Sequence, residues 1–303
     1  MKHPLERIAI VSRGEAALRL IRAVRELNLE RHLSLSTVAL FTEPDRQALF
    51  VREADEVVCI GPATFIDRRD GQPKSSYQHR ESIEEALQAT QATAVWPGWG
   101  TQASEAWLAD LCERLGITFV GPDAGVLRLL SDRISARQLA QQANIPVGPT
   151  SDGRIVSAHH LEVQIIADLY GTTWAIGVRN CTISPQGQSV LEESGSHTLP
   201  PEKEHELREV AIRLCQLAGY RNAGSVKFLY DPVQHTFWFM EFQPCLSAAH
   251  PVTEVTTGLD LVKLQLDVAR GERLEGEPTP PIGHAIAAHL YAESLGNGAA
   301  SPT

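Results

Sequence analysis

The residues with the greatest potential for chemistry lie in one segment, residues 238–254. An apolar run that carries Glu241 is followed by a loop, a His-Pro turn and the start of a helix. This order is typical of a catalytic strand and loop. Lys227, Cys245 and Ala249 lie in or near this segment. We therefore expect a catalytic type of scaffold with few reactive groups of its own.

Cys245 suggests a nucleophile, because His250 follows it closely in the sequence. A thiol reacts as its thiolate, which needs a neighbouring base or cation. The interpretation that we favour is a small buried thiol that fills space.

The elements that must position these residues fall into two halves. The first 125 residues alternate short apolar runs with amphipathic segments; the runs lie at 8–11, 37–41, 56–60, 94–96 and 117–120. Helical spacing separates several of them, most clearly over residues 16–27 and 105–115. Alternation of strands and helices predicts a parallel sheet covered on both faces.

From about Leu161 the apolar runs come closer together, at 161–166, 173–177, 225–230 and 237–242. Residues 231–235 have the composition of a hairpin turn, and a long helix over residues 202–219 ends on glycine. The second half is therefore predicted to be α+β with an antiparallel sheet. We expect domains at 1–125 (α/β) and 126–294 (α+β), followed by a flexible tail at 295–303.

Composition excludes several classes of function. The net charge of -10 argues against nucleic-acid binding, which needs concentrated lysine and arginine. Five scattered cysteines without a CxxC motif indicate reduced thiols in a cytoplasmic protein and argue against a zinc site. No signal segment and no run of about 18 apolar residues is seen, so we expect no membrane span.

A series of short motifs runs through nearly the whole chain: Ser12-Arg-Gly-Glu-Ala-Ala-Leu-Arg19, Arg52-Glu-Ala-Asp-Glu56, Trp96-Pro-Gly-Trp-Gly100, Phe119-Val-Gly-Pro122, Asp132-Arg-Ile-Ser135, His160-Leu-Glu-Val-Gln164, Arg179-Asn-Cys-Thr182, His250-Pro-Val-Thr-Glu254 and Gly283-His-Ala-Ile286. In this order they resemble the biotin carboxylase family. Members of that family use ATP and bicarbonate to carboxylate biotin in acyl-CoA and pyruvate carboxylases. The resemblance implies a biotin-carboxylase-like parallel-sheet domain followed by an ATP-grasp-type domain.

The first departure from the family is a missing lid. In the family, the segment matching Pro146-Val-Gly-Pro149 leads into a mobile lid with a glycine-rich phosphate loop and a catalytic lysine. Here only residues 150–159 precede the next motif, and the chain has no glycine-rich loop. Such loops cradle phosphates with backbone amides, and a closing lid excludes water. Phosphoryl transfer would therefore lose most of its stabilisation. The sequence leaves open whether the lid was lost naturally or removed by engineering.

The second departure is at the metal. The resemblance places two acidic residues on neighbouring strands to bridge Mg²⁺ to ATP; Glu241 matches one and Lys227 replaces the other. An ammonium group cannot ligate Mg²⁺, which requires oxygen ligands. Lys227 is predicted to pair with Glu241 across the strands and take the metal's place. The alternative is a solvated cross-strand pair of little energetic consequence.

The third departure is in the bicarbonate and biotin pocket. Cys245 stands where the family has an arginine, Ala249 where it has the glutamate proposed to deprotonate bicarbonate, and His289 where it has a second arginine. Other positions are also changed: Gln243, Pro244, Ser247, Ala248, Gly187 and Ser189. Anions such as bicarbonate are held by permanently charged guanidinium groups, and a general base must be titratable. We therefore expect no catalysis by this chain alone.

Some features of a nucleotide site remain. His160, Glu162 and Gln164 match residues that line the nucleotide cleft of the family, and Arg133 stands for a lysine that contacts phosphate. The alternative for the three strand residues is a polar strand packed at a domain seam. We expect no cofactor, since ATP and Mg²⁺ are used in the family but are doubtful here.

The sequence favours a catalytically inactive biotin carboxylase homologue that acts as a structural or interaction subunit. It would form a homodimer or bind a protein partner, with a biotin carrier or a carboxyltransferase-type subunit as candidates. One alternative is an active carboxylase component whose lid and missing groups come from another chain. Another is a module that senses a nucleotide or an acyl-CoA in the remaining cleft.

Overall fold

The computed structural model describes residues 5–148, 158–183, 190–195 and 199–290. Its first sheet has five parallel strands in the order β3-β2-β1-β6-β7. These strands are β1 Arg7–Ile10, β2 Ser36–Phe41, β3 Glu56–Cys59, β6 Ala94–Trp96 and β7 Thr118–Phe119. A separate hairpin pairs β4 Thr64–Ile66 with β5 Pro73–Ser75.

The described residues form these α-helices: α1 Gly14–Arg31, α2 Leu49–Glu53, α3 Arg80–Ala89, α4 Ala106–Leu115, α5 Ala124–Ser131, α6 Arg133–Gln142, α7 Pro201–Ala218, α8 His250–Thr257 and α9 Leu261–Arg270. Helices α1, α3 and α4 cover the two faces of the first sheet, and alternate residues from Ile8 to Val11 point to opposite sides. Ile8 and Ile10 pack against α1, whereas Ala9 and Val11 pack against α3 and α4. Burial on both faces is the reason that residues 8–11 are all apolar.

The second sheet has six strands in the order β12-β11-β8-β9-β10-β13, and all its pairs are antiparallel. These strands are β8 His159–Ala167, β9 Thr173–Ile183, β10 Leu191–Ser194, β11 Asn222–Asp231, β12 Thr236–Gln243 and β13 Ile286–Ala288. Leu161, Val163 and Ile165 of β8 pack in the core that contains α6 and α7. The alternate residues, His160, Glu162 and Gln164, are therefore on the opposite face of β8.

Helix α1 joins the two halves of the chain through α9. Arg31 binds Asp267 at 2.6 Å, and Lys263 lies 2.9 Å from Glu26 and 2.7 Å from Glu30. One apolar core includes residues of β1 and α1 together with apolar residues of α9. The two halves therefore share buried surface.

The predicted fold class is confirmed, with a parallel-sheet half followed by an antiparallel-sheet half. The sequence missed the β4–β5 hairpin and the edge strand β13, since both are built from strands of only three residues. The division at residue 125 remains a prediction. None of the helices in the described residues is long and apolar enough to cross a membrane.

Candidate functional site

Four charged residues of alternating sign lie side by side across the second sheet, and we call them the charge row. In direct cross-strand register, Glu241 of β12 faces Lys227 of β11, Lys227 faces Glu162 of β8, and Glu162 faces Arg179 of β9. Residues paired in this way have side chains on the same face of a sheet. Each cation of the row is therefore next to at least one carboxylate.

A β-bulge brings Glu241 into this row. Phe237 and Phe239 of β12 pack in the core under the sheet, so simple alternation would place Glu241 on that same side. The register shifts between Lys227 and Phe228, because Phe228 pairs with Phe239 whereas Lys227 pairs with Glu241. The extra residue, Met240, turns Glu241 to the other face of the sheet.

The Arg179 end of the row is fully buried and densely hydrogen-bonded. Its side chain has 0% exposure and that of Glu162 has 3%. Arg179 Nη2 donates to Glu162 Oε1 at 2.6 Å, and Nη1 donates to Gln164 Oε1 at 2.9 Å and to Thr253 Oγ1 at 2.8 Å. Burial opposes the charge on Arg179, but the attraction of several nearby groups, chiefly the Glu162 carboxylate together with Glu192, outweighs burial and raises the pKa of the guanidinium. The same ion pair lowers the pKa of Glu162 against the effect of burial.

A second carboxylate, Glu192 of β10, closes this buried cluster. Arg179 Nε lies 3.7 Å from Glu192 Oε2, and His289 Nε2 lies 3.5 Å from Glu192 Oε1. The Cys181 thiol donates to Glu192 Oε2 at 3.4 Å. Burial and the two nearby carboxylates, those of Glu162 and Glu192, raise the pKa of Cys181, so this thiol is protonated and unreactive.

The Lys227 end of the row is open to solvent. Lys227 Nζ donates to Glu241 Oε1 at 2.8 Å, and the two side chains are 34% and 57% exposed. The predicted cross-strand pair is thus present. Burial disfavours the charge on Lys227, but Glu241 and Glu162 outweigh it and raise the pKa of the ammonium. Burial and the charge of Lys227 together lower the pKa of His160.

A cleft of about 780 Å³ opens at this end, between the second sheet and the start of α6. Its charged lining consists of Arg133, Arg137, Lys227 and Glu241. Its polar and sulfur-bearing lining residues are Thr101, Ser104, Ser131, Gln243, Met240 and Cys245. The volume is within the range of small-molecule sites.

The structure separates the residues predicted to line a nucleotide cleft. Arg133 lines the cleft and is exposed. Glu162 and Gln164 are buried and bound to Arg179, and Gln164 Nε2 also donates to the carbonyl of Gly224 at 2.8 Å. His160 is half-buried. Gly187 and Ser189 lie outside the described residues.

Most residues of the loop after β12 are buried and packed against their neighbours. Cys245 is 6% exposed and Ala249 is 0% exposed. Burial raises the pKa of the Cys245 thiol, so the preferred interpretation of a buried thiol is confirmed. His250 Nδ1 lies 2.9 Å from the Ser247 carbonyl, and its ring packs on Trp99 with centroids 4.7 Å apart. Among the described residues, no hydrogen bond joins Cys245 to His250.

The Trp-Pro-Gly-Trp-Gly loop, residues 96–100, follows β6 of the first sheet and contacts the His-Pro turn through Trp99 and His250. Trp96 is fully buried and its Nε1 donates to Gln265 Oε1 of α9 at 3.1 Å. Gly98 has φ of +72°, and a Cβ at this position would meet Ser12 Oγ at 2.4 Å. Glycine is therefore required where the loop passes the turn after β1.

Comparison with known proteins places this chain in a family. Residues 4–127 match the model described as biotin carboxylase, N-terminal domain, and residues 152–277 match carbamoyl-phosphate synthase L chain, ATP binding domain. Biotin carboxylase 1 of Bacillus subtilis (strain 168) is 31% identical over 357 aligned positions, covering 96% of this chain and 76% of that protein. The chain belongs to the biotin carboxylase family.

This chain matches only part of some further relatives and most of another. The mitochondrial methylcrotonoyl-CoA carboxylase subunit alpha of Arabidopsis thaliana is 29% identical, with 97% of this chain and 47% of that protein covered. The structure of urea carboxylase from Kluyveromyces lactis superposes with a TM-score of 0.85 at 32% identity, covering 97% of this chain and 24% of that one. A biotin carboxylase complex with β,γ-ATP from Campylobacter jejuni gives 0.85 at 26% identity, covering 97% and 77%.

The comparisons also agree with the missing lid. The alignment with the Bacillus subtilis biotin carboxylase has 357 positions, which exceeds the 303 residues of this chain. The relative therefore has segments that this chain lacks. Between Gly148 and β8 there are too few residues for a folded subdomain, since only residues 149–158 intervene.

A biotin carboxylase with an ATP-binding domain implies a nucleotide and its Mg²⁺, but the cleft does not fit the metal. Lys227 lies between two carboxylates of the charge row, and its ammonium is bonded to Glu241. Within the described residues, one group of three potential ligands lies close together: Glu162, Cys181 and Glu192. Arg179 is bonded to Glu162 and lies beside Glu192, so its guanidinium already occupies the side of that group where a cation would bind.

Sequence reasoning missed two residues that organise the site. From the sequence, Arg179 is identified only as part of a family motif. A charged residue in a largely apolar strand such as β9 indicates that it is buried together with a partner of opposite charge. Arg137 of α6 lines the cleft and donates to the carbonyl of Gly148 at 2.7 Å. Nothing in the amphipathic pattern of α6 distinguishes Arg137 from an ordinary surface arginine.

Proposed function

We propose that this biotin carboxylase homologue does not carboxylate biotin by itself and acts as a structural or interaction subunit of a carboxylase-like assembly. The observation that carries the proposal is the position of Lys227 between Glu162 and Glu241. A lysine at this point neutralises the carboxylates that a metal-dependent site would leave free for a cation.

The loop after β12 supports the same conclusion. Bicarbonate and its activated forms are anions, which arginine holds through paired hydrogen bonds. The positions that correspond to such groups carry a buried neutral thiol, Cys245, and a histidine beside Glu192, His289. Ala249 is buried and has no group that could accept a proton. These three positions therefore supply neither an anion clamp nor a base.

A role in an assembly is consistent with the relatives. They include a subunit of methylcrotonoyl-CoA carboxylase and a complete multifunctional pyruvate carboxylase. The fold superposes on these relatives, which supports a role that depends on shape rather than on catalysis. A second copy, a biotin carrier or a carboxyltransferase-type subunit is the proposed partner. The five free cysteines support a reducing compartment such as the cytoplasm.

Catalysis is tested on the purified chain with ATP, MgCl₂, bicarbonate and free biotin, by measuring phosphate release. We expect no release that depends on bicarbonate. Glu241→Gln is the matched control. Glu241 is the carboxylate that lines the cleft among the described residues, and this substitution removes its charge. Bicarbonate-dependent release that disappears in Glu241→Gln would overturn the proposal.

The assembly role is tested separately by light scattering and by co-expression with a biotin carrier chain and a carboxyltransferase-type chain. The expected result is a homodimer or a complex of fixed stoichiometry. A chain that stays monomeric and binds neither protein would contradict this part of the proposal, whatever its catalytic behaviour.

The retained cleft favours one alternative, an active carboxylase completed by another chain. About 780 Å³ of space remains beside Glu241 and Arg133, where a partner could insert its own groups. In that case bicarbonate-dependent phosphate release would be absent from the isolated chain and would appear in the complex. The assay above, repeated on the co-expressed complex, distinguishes the two functions.

A further inference from the structure

A second cavity lies between the two halves of the molecule, and we call it the seam cavity. Its wall from the first half is formed by α4, β7 and the residues that join β7 to the start of α5. Its wall from the second half is formed by Leu169, Arg221, Asn222 and the end of α9. The volume of about 570 Å³ is within the range of small-molecule sites, which are common where two domains meet. It shares none of its described lining residues with the cleft beside the charge row.

The inner lining of the seam cavity is apolar and largely built from small side chains. Ala109, Ala124 and Val268 are buried there, and Ile117 and Phe119 are half-buried. The alanines leave open the space that larger side chains would fill. The inner lining therefore suits an aliphatic or aromatic group of modest size.

The rim of the seam cavity carries charges of both signs. Four exposed charged residues line it: Glu113, Asp123, Arg128 and Arg221. Arg128 is already paired, since its Nη1 donates to Asp110 Oδ2 at 2.7 Å. The side chains of Glu113, Asp123 and Arg221 make no hydrogen bond with any other described residue. Two carboxylates and one guanidinium on the rim are therefore available to a ligand.

The spacing of Arg221 and Asp123 indicates what kind of charge fits. Arg221 Nη1 lies 3.8 Å from Asp123 Oδ2, which is too far for a hydrogen bond. An anion bound to Arg221 would be repelled by Asp123, and a cation bound to Asp123 would be repelled by Arg221. A molecule that carries an ammonium and a carboxylate on one carbon gives each of the two side chains a partner of opposite charge.

The start of α5 adds hydrogen-bond donors on the same side of the cavity. Asp123 is the N-cap residue of α5, and its side chain makes no capping hydrogen bond. Ala124 and Gly125 are the first two residues of the helix, and both line the cavity. Backbone N–H groups at this position have no partner within the helix and favour a negative charge. A ligand carboxylate would therefore lie between Arg221 and the start of α5.

We propose that the seam cavity binds a free amino acid with an apolar side chain. Its carboxylate is held by Arg221, its ammonium by Asp123, and its side chain by the apolar inner lining. Because the walls come from both halves of the chain, a bound amino acid would link the two halves. This inference goes beyond the proposed function, which requires no small ligand.

The test is titration calorimetry with L-leucine and L-phenylalanine, each compared with the analogue that lacks the carboxylate and the analogue that lacks the amine. These analogues are 3-methylbutylamine and 4-methylpentanoate for leucine, and 2-phenylethylamine and 3-phenylpropanoate for phenylalanine. We expect at least one amino acid to bind about tenfold or more tightly than both of its analogues, since each analogue loses a charge-assisted hydrogen bond. Binding of neither amino acid, or equal binding of an analogue, would overturn the proposal.

Arg221→Gln makes the role of the guanidinium specific. We expect it to weaken binding of the amino acid about tenfold or more, because the carboxylate loses its cation. Arg25→Gln is the matched control: Arg25 also pairs with a carboxylate and is 50% exposed, against 45% for Arg221, but it does not line the cavity. Equal affinity in Arg221→Gln and wild type would refute the assignment.

Asp123→Asn provides an independent readout. Asparagine is also a favourable N-cap residue, so α5 should be retained. The variant should bind the amino acid more weakly, whereas 4-methylpentanoate should bind no more weakly than to wild type, because it has no ammonium and is repelled by Asp123. Unchanged affinity for the amino acid, or an equal loss for both ligands, would contradict the role of Asp123 as the partner of the ammonium.

Discussion

Arg179 and Lys227 are both cations beside a glutamate on a neighbouring strand, but they lie at opposite ends of the charge row. Arg179 has no exposure and four hydrogen-bond acceptors, those of Glu162, Gln164, Thr253 and Ser247. Lys227 is one-third exposed and is bonded to Glu241 alone among the described residues. The comparison indicates that the buried pair belongs to the packing of the fold, whereas the open pair lies at the surface of the cleft.

The physical reason is the local dielectric. A buried ion pair is costly to form, but loss of one partner leaves an uncompensated charge away from water. An exposed pair is screened, so substitution there changes stability little. A substitution at Lys227 should therefore change the charge of the cleft without unfolding the sheet. A substitution at Arg179 should destabilise the sheet.

The largest expected effect comes from breaking the buried end with Arg179→Met. This change removes the buried guanidinium that is bonded to Glu162 and lies beside Glu192, and the free energy of unfolding should fall by about 3–5 kcal/mol. Urea denaturation is the measurement. Arg114→Met is the control, because Arg114 binds Glu84 through two bonds on the exposed surface and its loss should cost under about 1 kcal/mol.

If Arg179→Met does not fold, Glu162→Gln replaces it, since the amide keeps an acceptor for the guanidinium and should destabilise less. Equal losses of stability in Arg179→Met and Arg114→Met would contradict the contrast between the two ends of the row.

An intermediate effect is expected from pH at His250, which packs beside the buried end. Burial lowers the pKa of His250 from 6.5 to about 4. As the pH falls below 6.5, the unfolded chain takes up a proton and the folded chain does not until about pH 4, so stability is lost across this interval. The loss attributable to this histidine is about 2–3 kcal/mol near the acid end of the interval.

His250→Asn tests this prediction, because an asparagine does not titrate. The variant should be less stable than wild type near neutral pH, and the difference in free energy of unfolding should shrink as the pH is lowered toward about 5. Glu254, Arg19, Arg179 and Asp260 face the ring and are present in both proteins. A difference that stays constant with pH would show that His250 is not the titrating group.

The smallest effect is expected at the open end. Lys227→Gln should change the free energy of unfolding by less than about 1 kcal/mol, because the pair with Glu241 is partly solvated. Urea denaturation at low and high salt measures it, and salt should reduce the difference further. A loss as large as that of Arg179→Met would mean that Lys227 is structural, and the comparison would fail.

Much of the site was readable from residue types. The apolar runs of β8, β11 and β12 predicted three neighbouring strands, and family motifs placed Lys227 where a carboxylate is expected. The sequence did not show that Glu162 and Gln164 are buried with Arg179 while Arg133 lines the cleft. Glu162 and Gln164 alternate with apolar residues on β8 as cleft residues would, and only packing against α8 reveals that Arg179 and Thr253 enclose them.

The sequence by itself determined the family, the two kinds of sheet and the loss of charged groups at Cys245 and Ala249, because these depend on residue identity and local periodicity. Only the tertiary structure decided which charges meet. The bulge at Met240 turns Glu241 toward Lys227, against the alternation that Phe237 and Phe239 begin. A one-residue change of register moves a side chain to the other face of a sheet, and the register is set by how two strands pair, which neither strand's own pattern reveals.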